Sequence, residues 1–164
     1  MPSQVSMQIR QPTIDWANAQ HYAWQLAQNI LASDFTPTTM LVVARGGLSV
    51  AGLLYKHLDV PAVEVVRCTS YDGEANTGEL RMSNVDQGKL QRLNYEGAKI
   101  LIVDDIYDTG ATIAFLKHLL PQADVRAACL INKMHKGRLA AECDFYGAWV
   151  PPVWVLFPWE GKGG

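Results

Sequence analysis

Residues 99–112 read KILIVDDIYDTGAT, and this stretch decides the predicted fold. The run Ile100–Val103 is continuously aliphatic and lies between Gly97 and two acids, which is typical of a strand buried on both faces. After Gly110 the segment ATIAFLKHLL is apolar at helical spacing until Pro121 ends it. Strand, acidic loop and helix in this order predict an α/β protein with an open, mostly parallel sheet. Ligands bind such sheets at the carboxyl ends of the strands.

The chemistry of this loop favours a phosphorylated sugar. Its last part, Asp108-Thr109-Gly110-Ala111-Thr112, opens the helix. Unpaired backbone N–H groups, the positive end of the helix dipole and two threonine hydroxyls are groups that hold a phosphate. Asp104 and Asp105, just upstream, would repel a phosphate unless they bind sugar hydroxyls or a Mg²⁺ ion that the phosphates share. The loop therefore predicts a ribose phosphate with a metal ion.

A second loop of similar design lies earlier in the chain. Met40–Ala44 is a short apolar run that stops at Arg45-Gly46-Gly47, and Leu48–Leu58 then reads as a helix. Glycines let the backbone approach an anion closely, and Arg45 adds a positive charge with bidentate geometry. Taken alone, this loop is equally consistent with an ordinary helix N-terminus.

The remaining segments extend the α/β pattern. They predict a helix over 15–31 and strands over 60–66 and 125–131. Residues 67–94 are rich in Gly, Asn, Asp and Ser, which indicates either a hairpin excursion or a mobile lid. Aromatic extended segments at 145–149 and 153–157, separated by Pro151-Pro152, predict a hood of irregular strands over the site.

Composition limits the classes of function. With 164 residues the chain is long enough for one domain with a real core. A net charge of −2, from 14 basic and 16 acidic residues, argues against general nucleic-acid binding. The chain has no apolar run long enough for a membrane span. Its three cysteines form no metal-type cluster, so we expect reduced thiols in a cytoplasmic protein.

The extended motif resembles the signature with which type I phosphoribosyltransferases bind 5-phosphoribosyl-1-pyrophosphate (PRPP). The acid pair, the third acid and Thr-Gly-x-Thr fall at the spacing of that family. The resemblance implies an open, mostly parallel twisted sheet flanked by helices, with a small C-terminal hood and a flexible lid. It divides the chain into an arm (1–12), a core (13–133) with the lid at about 68–94, and a hood with tail (134–164).

The resemblance also implies a role for each motif residue. Four groups are expected: the 5′-phosphate site of Asp108, Thr109, Gly110, Ala111 and Thr112; ribose-binding Asp104 and Asp105, with Asp105 also at Mg²⁺; the pyrophosphate loop of Ala44, Arg45, Gly46 and Gly47; and the lid residues Ser70, Tyr71 and Arg81. In this family the peptide bond before the basic residue of the pyrophosphate loop is often cis, so we expect a cis peptide bond between Ala44 and Arg45. Asp108 would also act as general acid or base near the purine N7.

The C-terminal segment indicates which members of the family the chain resembles most. The run Trp154–Glu160, together with ARGGL and SYD, is similar to bacterial xanthine-guanine phosphoribosyltransferases over about residues 13–160. This implies that Trp154 stacks on the purine and that the Val155 backbone meets its Watson–Crick edge. Lys133 would donate to the 6-oxo oxygen, which favours guanine, xanthine and hypoxanthine over adenine. Family members form dimers and tetramers, so we expect a homodimer or homotetramer.

Two departures from that pattern bear on specificity and on the lid. Leu156 stands where the bacterial enzymes carry an acid, and Gly78 stands where they carry a lid arginine. Arg81 or Lys89 would then supply the lid cation, with Arg92 nearby. Two alternatives stay open: a regulator that binds PRPP or a nucleotide with the same fold, and a phosphoribosyltransferase for another base such as adenine or a pyrimidine.

Overall fold

The computed structural model of the protein describes residues 7–8, 13–71, 79–83, 86–135 and 143–161, with only the backbone at 7–8, 70–71, 79–81 and 83. Within these residues, seven strands and four helices follow one another in a mostly alternating order. They are β1 (Met7–Gln8), α1 (Trp16–Leu31), β2 (Thr39–Ala44), α2 (Gly46–Tyr55), β3 (Ala62–Tyr71), β4 (Glu79–Ser83), α3 (Gln87–Leu93), β5 (Lys99–Tyr107), α4 (Ala111–Leu119), β6 (Asp124–Lys133) and β7 (Phe145–Val150).

The strands form one open sheet in the order β1-β7-β6-β5-β2-β3-β4. Every neighbouring pair is parallel except β3 and β4, which pair antiparallel at one edge. The prediction of an open, mostly parallel sheet flanked by helices is therefore confirmed. β5 lies between β2 and β6, at the centre of the sheet.

The core consists of two apolar layers, one on each face of the sheet. Alternate residues of the central strands enter opposite layers: Met40 and Val42 pack under α1 and α2, whereas Leu41 and Val43 pack under α3 and α4. β5 divides its aliphatic residues in the same way, which confirms the prediction of a strand buried on both faces. α1 begins as predicted, because the Asp15 carboxylate caps it by accepting a hydrogen bond from the Asn18 N–H at 2.7 Å.

β5 is longer than its aliphatic run predicts. The strand continues through both acids to Tyr107, because Ile106 and Tyr107 still pair with the neighbouring strand β6. Asp104 and Asp105 therefore lie on a strand end with a defined backbone rather than on a free loop.

Part of the predicted hood belongs to the main sheet. Residues 145–149 form most of β7, which pairs with β6 and is buried at Phe145, Ala148 and Val150. The prediction was wrong for this segment, since it is a strand of the main sheet and its buried side chains, Phe145 among them, pack into the sheet core. Residues 153–157 are irregular, as predicted, with a single bridge between Thr13 and Leu156.

Much of the polar segment 67–94 is regular. β3 and β4 form the antiparallel pair that corresponds to the hairpin alternative, and α3 follows with Asp86 as its cap. Lys89 and Arg92 are not directed at the site: the Lys89 ammonium donates to the Val65 carbonyl at 3.0 Å, and both cations pair with Glu64. These contacts fasten α3 to β3 and correct the expectation that Lys89 or Arg92 is a lid cation.

Ser70, Tyr71 and Arg81 lie in the β3–β4 pair, and their side chains fall outside the described part of the chain. Gly78 lies outside the described residues altogether. None of the described helices combines the length and the apolar character needed to cross a membrane. The three cysteines are free thiols.

We expect Gly147→Ala to destabilise the protein. A Cβ at Gly147 would lie 2.9 Å from the Tyr22 carbonyl carbon on α1 and 3.0 Å from the Leu130 carbonyl oxygen, so the backbones would have to separate. Overpacking of this kind costs about 1–3 kcal/mol. Urea unfolding would measure the loss in free energy of unfolding.

Gly52→Ala is the matched control, because a Cβ there meets nothing within 4 Å on the exposed side of α2. It should raise the free energy of unfolding by up to about 1 kcal/mol. Equal stability of the two variants would contradict the close packing of α1 on β7.

Candidate active site

The parallel pairing of β2 with β5 brings two helix starts to one edge of the sheet. α2 begins two residues after β2 ends, and α4 begins four residues after β5 ends. Neither start has a side-chain cap, and neither has an acid in its first turn. Two sets of N–H groups and two positive dipole ends are therefore available to anions at the same edge.

The α4 start forms a small cavity of about 200 Å³. Residues 106–113 and Asp104 line it. Gly110 adopts a left-handed conformation with φ of 83°, which a residue with a Cβ rarely adopts. The Thr109 hydroxyl accepts a hydrogen bond from the Ala111 N–H at 3.3 Å and so shapes the turn. The cavity has the backbone donors and the hydroxyls that a phosphate needs.

The α2 start faces a larger cavity of about 590 Å³. The peptide between Ala44 and Arg45 is cis, as the resemblance implies. Gly47 lies against the Val103 carbonyl group so closely that a Cβ has no room, which explains glycine at this position. The residues that line the cavity are Arg45, Gly46, Leu48, Ser49, Asp105, Trp159, Glu160 and Gly161.

The acid pair at the end of β5 is held in an environment that disfavours ionisation. Burial, and then the charge of Asp105, raise the pKa of the Asp104 carboxyl well above its usual value. Burial also raises the pKa of Asp105, and the charge of Glu160 adds to this effect. The two acids serve different cavities, since Asp104 lines the smaller and Asp105 the larger.

This donor set fits a Mg²⁺ ion that a substrate shares. Carboxylate oxygens are the protein ligands that Mg²⁺ prefers, and one or two of them suffice when substrate phosphates supply the rest. Among the described residues, no group of three or more His, Cys, Asp or Glu side chains could hold a metal ion without a substrate. A cation beside Asp105 would also relieve the repulsion within the acid pair.

Asp108 lies at the centre of a separate polar cluster. Its Oδ2 is 3.4 Å from the Lys133 ammonium, and its Oδ1 is 2.5 Å from the His135 Nε2. The Lys133 ammonium also lies 6.0 Å from the ring centre of Trp154. Burial acts to raise the pKa of Asp108, but the His135 hydrogen bond and the Lys133 charge outweigh it and leave the pKa below its usual value.

Comparison with known proteins gives this arrangement a family. The model of the phosphoribosyl transferase domain matches residues 15–160. The chain belongs to the phosphoribosyltransferase family. It is 26% identical over 147 residues to a xanthine-guanine phosphoribosyltransferase from Desulfotalea psychrophila, and this match covers 90% of the chain and 84% of that protein.

Solved structures share the phosphoribosyltransferase fold. A purine phosphoribosyltransferase from Pyrococcus horikoshii Ot3 is 23% identical, with a TM-score of 0.74 and 94% of each chain covered. A hypothetical protein from Neisseria gonorrhoeae with bound ppGpp is 24% identical, with a TM-score of 0.75; the match covers 98% of this chain and 93% of that one.

The structure brings most of the predicted phosphoribosyltransferase residues to one edge of the sheet. Trp154 has 74% of its surface exposed, and its ring lies beside the Lys133 ammonium. Val155 is buried at its side chain, and the Leu156 carbonyl accepts a hydrogen bond from the Ile14 N–H at 2.9 Å. The C-terminal segment is thus fastened to the start of the core, and Trp154 projects from it.

Two titratable residues, His135 and Glu160, are at the site without a predicted role. His135 contacts Asp108, and Glu160 lines the same cavity as Asp105. His135 follows Lys133 by two residues at the end of β6, where alternate residues of an extended chain point to one side. That spacing is the one signal from which the sequence could have suggested its position.

We expect Asp104→Asn to stabilise the ligand-free protein at neutral pH. The folded-state pKa of Asp104 is raised, so the ionised form costs stability above that pKa and the cost disappears as the pH falls. The gain should therefore be present at pH 7.5 and should shrink toward zero as the pH is lowered and the carboxyl takes up its proton.

Thermal unfolding in a chelating buffer at several pH values would measure this gain. Asp59→Asn is the control, because Asp59 is exposed and should change stability little at any pH. If Asp104→Asn is no more stable than the wild type at pH 7.5, this result contradicts the conclusion that burial raises the pKa of Asp104.

Proposed function

We propose that the protein is a Mg²⁺-dependent purine-salvage phosphoribosyltransferase that transfers the 5-phosphoribosyl group from PRPP to a 6-oxopurine. The products would be the nucleoside 5′-monophosphate and pyrophosphate. The observation that carries this proposal is the cluster of Asp108, Lys133 and Trp154 directly beside the phosphate cavity. The name of the Desulfotalea psychrophila relative points to the same substrates.

Each part of PRPP has a matching group at the sheet edge. The N-terminus of α4, with the hydroxyls of Thr109 and Thr112, would hold the 5′-phosphate in the smaller cavity. Asp104, which lines that cavity, and Asp105 would accept hydrogen bonds from the ribose hydroxyls. The N-terminus of α2 and Arg45 would hold the pyrophosphate in the larger cavity.

Lys133 accounts for the choice of base. Its ammonium lies 3.4 Å from the Asp108 carboxylate and 6.0 Å from the centre of the Trp154 ring, so a purine stacked on Trp154 could bring its 6-position to this donor. Stacking on an aromatic side chain is worth about 1–3 kcal/mol per base. An ammonium matches the 6-oxo oxygen of guanine, xanthine or hypoxanthine, whereas the 6-amino group of adenine leaves it without an acceptor.

The chemical step is a displacement at the anomeric carbon of ribose. Purine N9 forms the new bond to C1′, and the bond from C1′ to the pyrophosphate oxygen breaks, with its electron pair leaving on pyrophosphate. The N–H bond at N7 breaks as well, its electron pair stays on the ring, and the Asp108 carboxylate takes the proton. Arg45 would stabilise the negative charge on the departing pyrophosphate.

Mg²⁺ bound with PRPP would neutralise part of the negative charge on the leaving pyrophosphate. Asp105, with Asp104 beside it, would hold the ion together with oxygens of PRPP. Closure of Ser70, Tyr71 and Arg81 over the site, a homodimer or homotetramer, and a cytoplasmic location remain predictions of this proposal.

A product assay tests the proposal. The protein is incubated with PRPP and Mg²⁺ and with guanine, xanthine, hypoxanthine, adenine or uracil, and monophosphates are separated by chromatography. We expect turnover of at least one 6-oxopurine and at least a hundredfold lower kcat/KM for adenine, because a site that hydrogen-bonds one group discriminates strongly against its replacement.

Each other outcome assigns a different function. Turnover of adenine or uracil alone would contradict the role of Lys133 and indicate another acceptor base. If the protein binds PRPP but turns over none of the bases, this result contradicts an enzymatic function and favours a regulator that senses PRPP.

A further inference from the structure

His135 is a histidine of the site that the proposed reaction has not used. It lies just beyond β6, 27 residues along the chain from Asp108, and its Nε2 is 2.5 Å from the Asp108 Oδ1. About a third of the imidazole surface is exposed, which leaves the ring fixed by this contact but accessible to solvent from one side. The contact is therefore a tertiary one, made at the reacting carboxylate itself.

The two oxygens of Asp108 have different partners. His135 contacts Oδ1, and Lys133 contacts Oδ2 at the longer distance of 3.4 Å. A carboxylate held at both oxygens has a fixed plane, which is the requirement for presenting one lone pair in one direction. The same carboxylate is half-exposed, so it can still be reached by a ligand.

We propose that His135 is a positioning residue that holds the Asp108 carboxylate in place when Lys133 moves to the base. This inference rests on the proposed function, in which Lys133 donates to the 6-oxo oxygen. Once Lys133 has turned to the base, Oδ2 loses its partner and becomes the oxygen that receives the purine proton. The imidazole N–H continues to donate to Oδ1, so the plane of the carboxylate is kept through proton transfer.

The partners of the Asp108 carboxyl also influence its acidity. The charged and titratable groups that bear on this carboxyl, within the described residues, are Lys133 at the end of β6 and His135 just after it. Both favour the ionised carboxylate. Loss of the His135 donor should therefore raise the pKa of Asp108, and the acid limb of the pH profile of kcat/KM should move to higher pH.

A purely structural role for His135 would give a different pattern. If the contact only fastens the chain after β6, its loss would lower stability and weaken substrate binding without moving the titration of Asp108. Two measurements separate these roles. One is the titration of the Asp108 carboxyl, and the other is whether the loss of His135 changes kcat or KM.

The experiment compares three variants with the wild type. His135→Leu removes the donor, His135→Gln keeps an N–H donor on a side chain of similar length, and His118→Leu is the control at an exposed histidine of α4. Steady-state kinetics with PRPP and the best 6-oxopurine are measured across pH. The Asp108 carboxyl is titrated by ¹³C NMR in the free protein.

We expect His135→Leu to lower kcat about ten- to a hundredfold, as the loss of a hydrogen bond to a charged group does, with KM for PRPP changed less than threefold. The pKa of Asp108 should rise in the same variant. His135→Gln should recover most of kcat, and His118→Leu should behave as the wild type. In an Asp108→Asn background, His135→Leu should cause little further loss.

The inference is overturned if His135→Leu has the kcat and the Asp108 pKa of the wild type. It is also overturned if His135→Leu lowers kcat by the same factor in the Asp108→Asn background as in the wild type. These outcomes differ from failure of the proposed function, which is a wild-type protein that turns over no base. In that case the NMR titration still decides the contact, since it needs no substrate: an unchanged Asp108 pKa in His135→Leu contradicts the inference.

Discussion

The parallel pairing of β5 with β2 on one side and β6 on the other is the constraint on which the rest of the structure depends. It aligns the carboxyl ends of three strands, so the starts of α2 and α4 and the end of β6 meet at one edge of the sheet. Two helix N-termini supply positive potential there without using lysines. A chain with a net charge of −2 can therefore present a site for a ligand with several phosphates.

The same edge holds three carboxyl groups in different environments. Asp104 and Asp105 resist ionisation because they are partly enclosed and close to each other. Asp108 behaves in the opposite way because Lys133 and His135 offset its burial. The difference between the acid pair and Asp108 therefore follows from their partner residues and not from the residue type. In the proposed function, it would suit the pair to hydroxyls and a cation, and Asp108 to the role of a base.

Local sequence predicted the elements that local interactions decide. The helix over about residues 15–31, the aliphatic run of β5 and the start of α4 after Gly110 needed only the local pattern of apolar, polar and glycine residues. The motif residues were also found from the sequence, since the family spaces them along one strand and turn.

Errors and omissions arose where distant segments meet. The end of β5 and the whole of β7 depend on pairing with β6, and α3 depends on Glu64 of β3. The contacts of His135 with Asp108, and of Glu160 with the Asp105 cavity, join residues far apart in the chain.

The proposal that one continuous site takes both a phosphate and a 6-oxopurine is tested most directly by calorimetric titration with guanosine 5′-monophosphate and with guanosine. We expect at least hundredfold tighter binding of the monophosphate, whereas equal affinities would contradict a phosphate site at the start of α4.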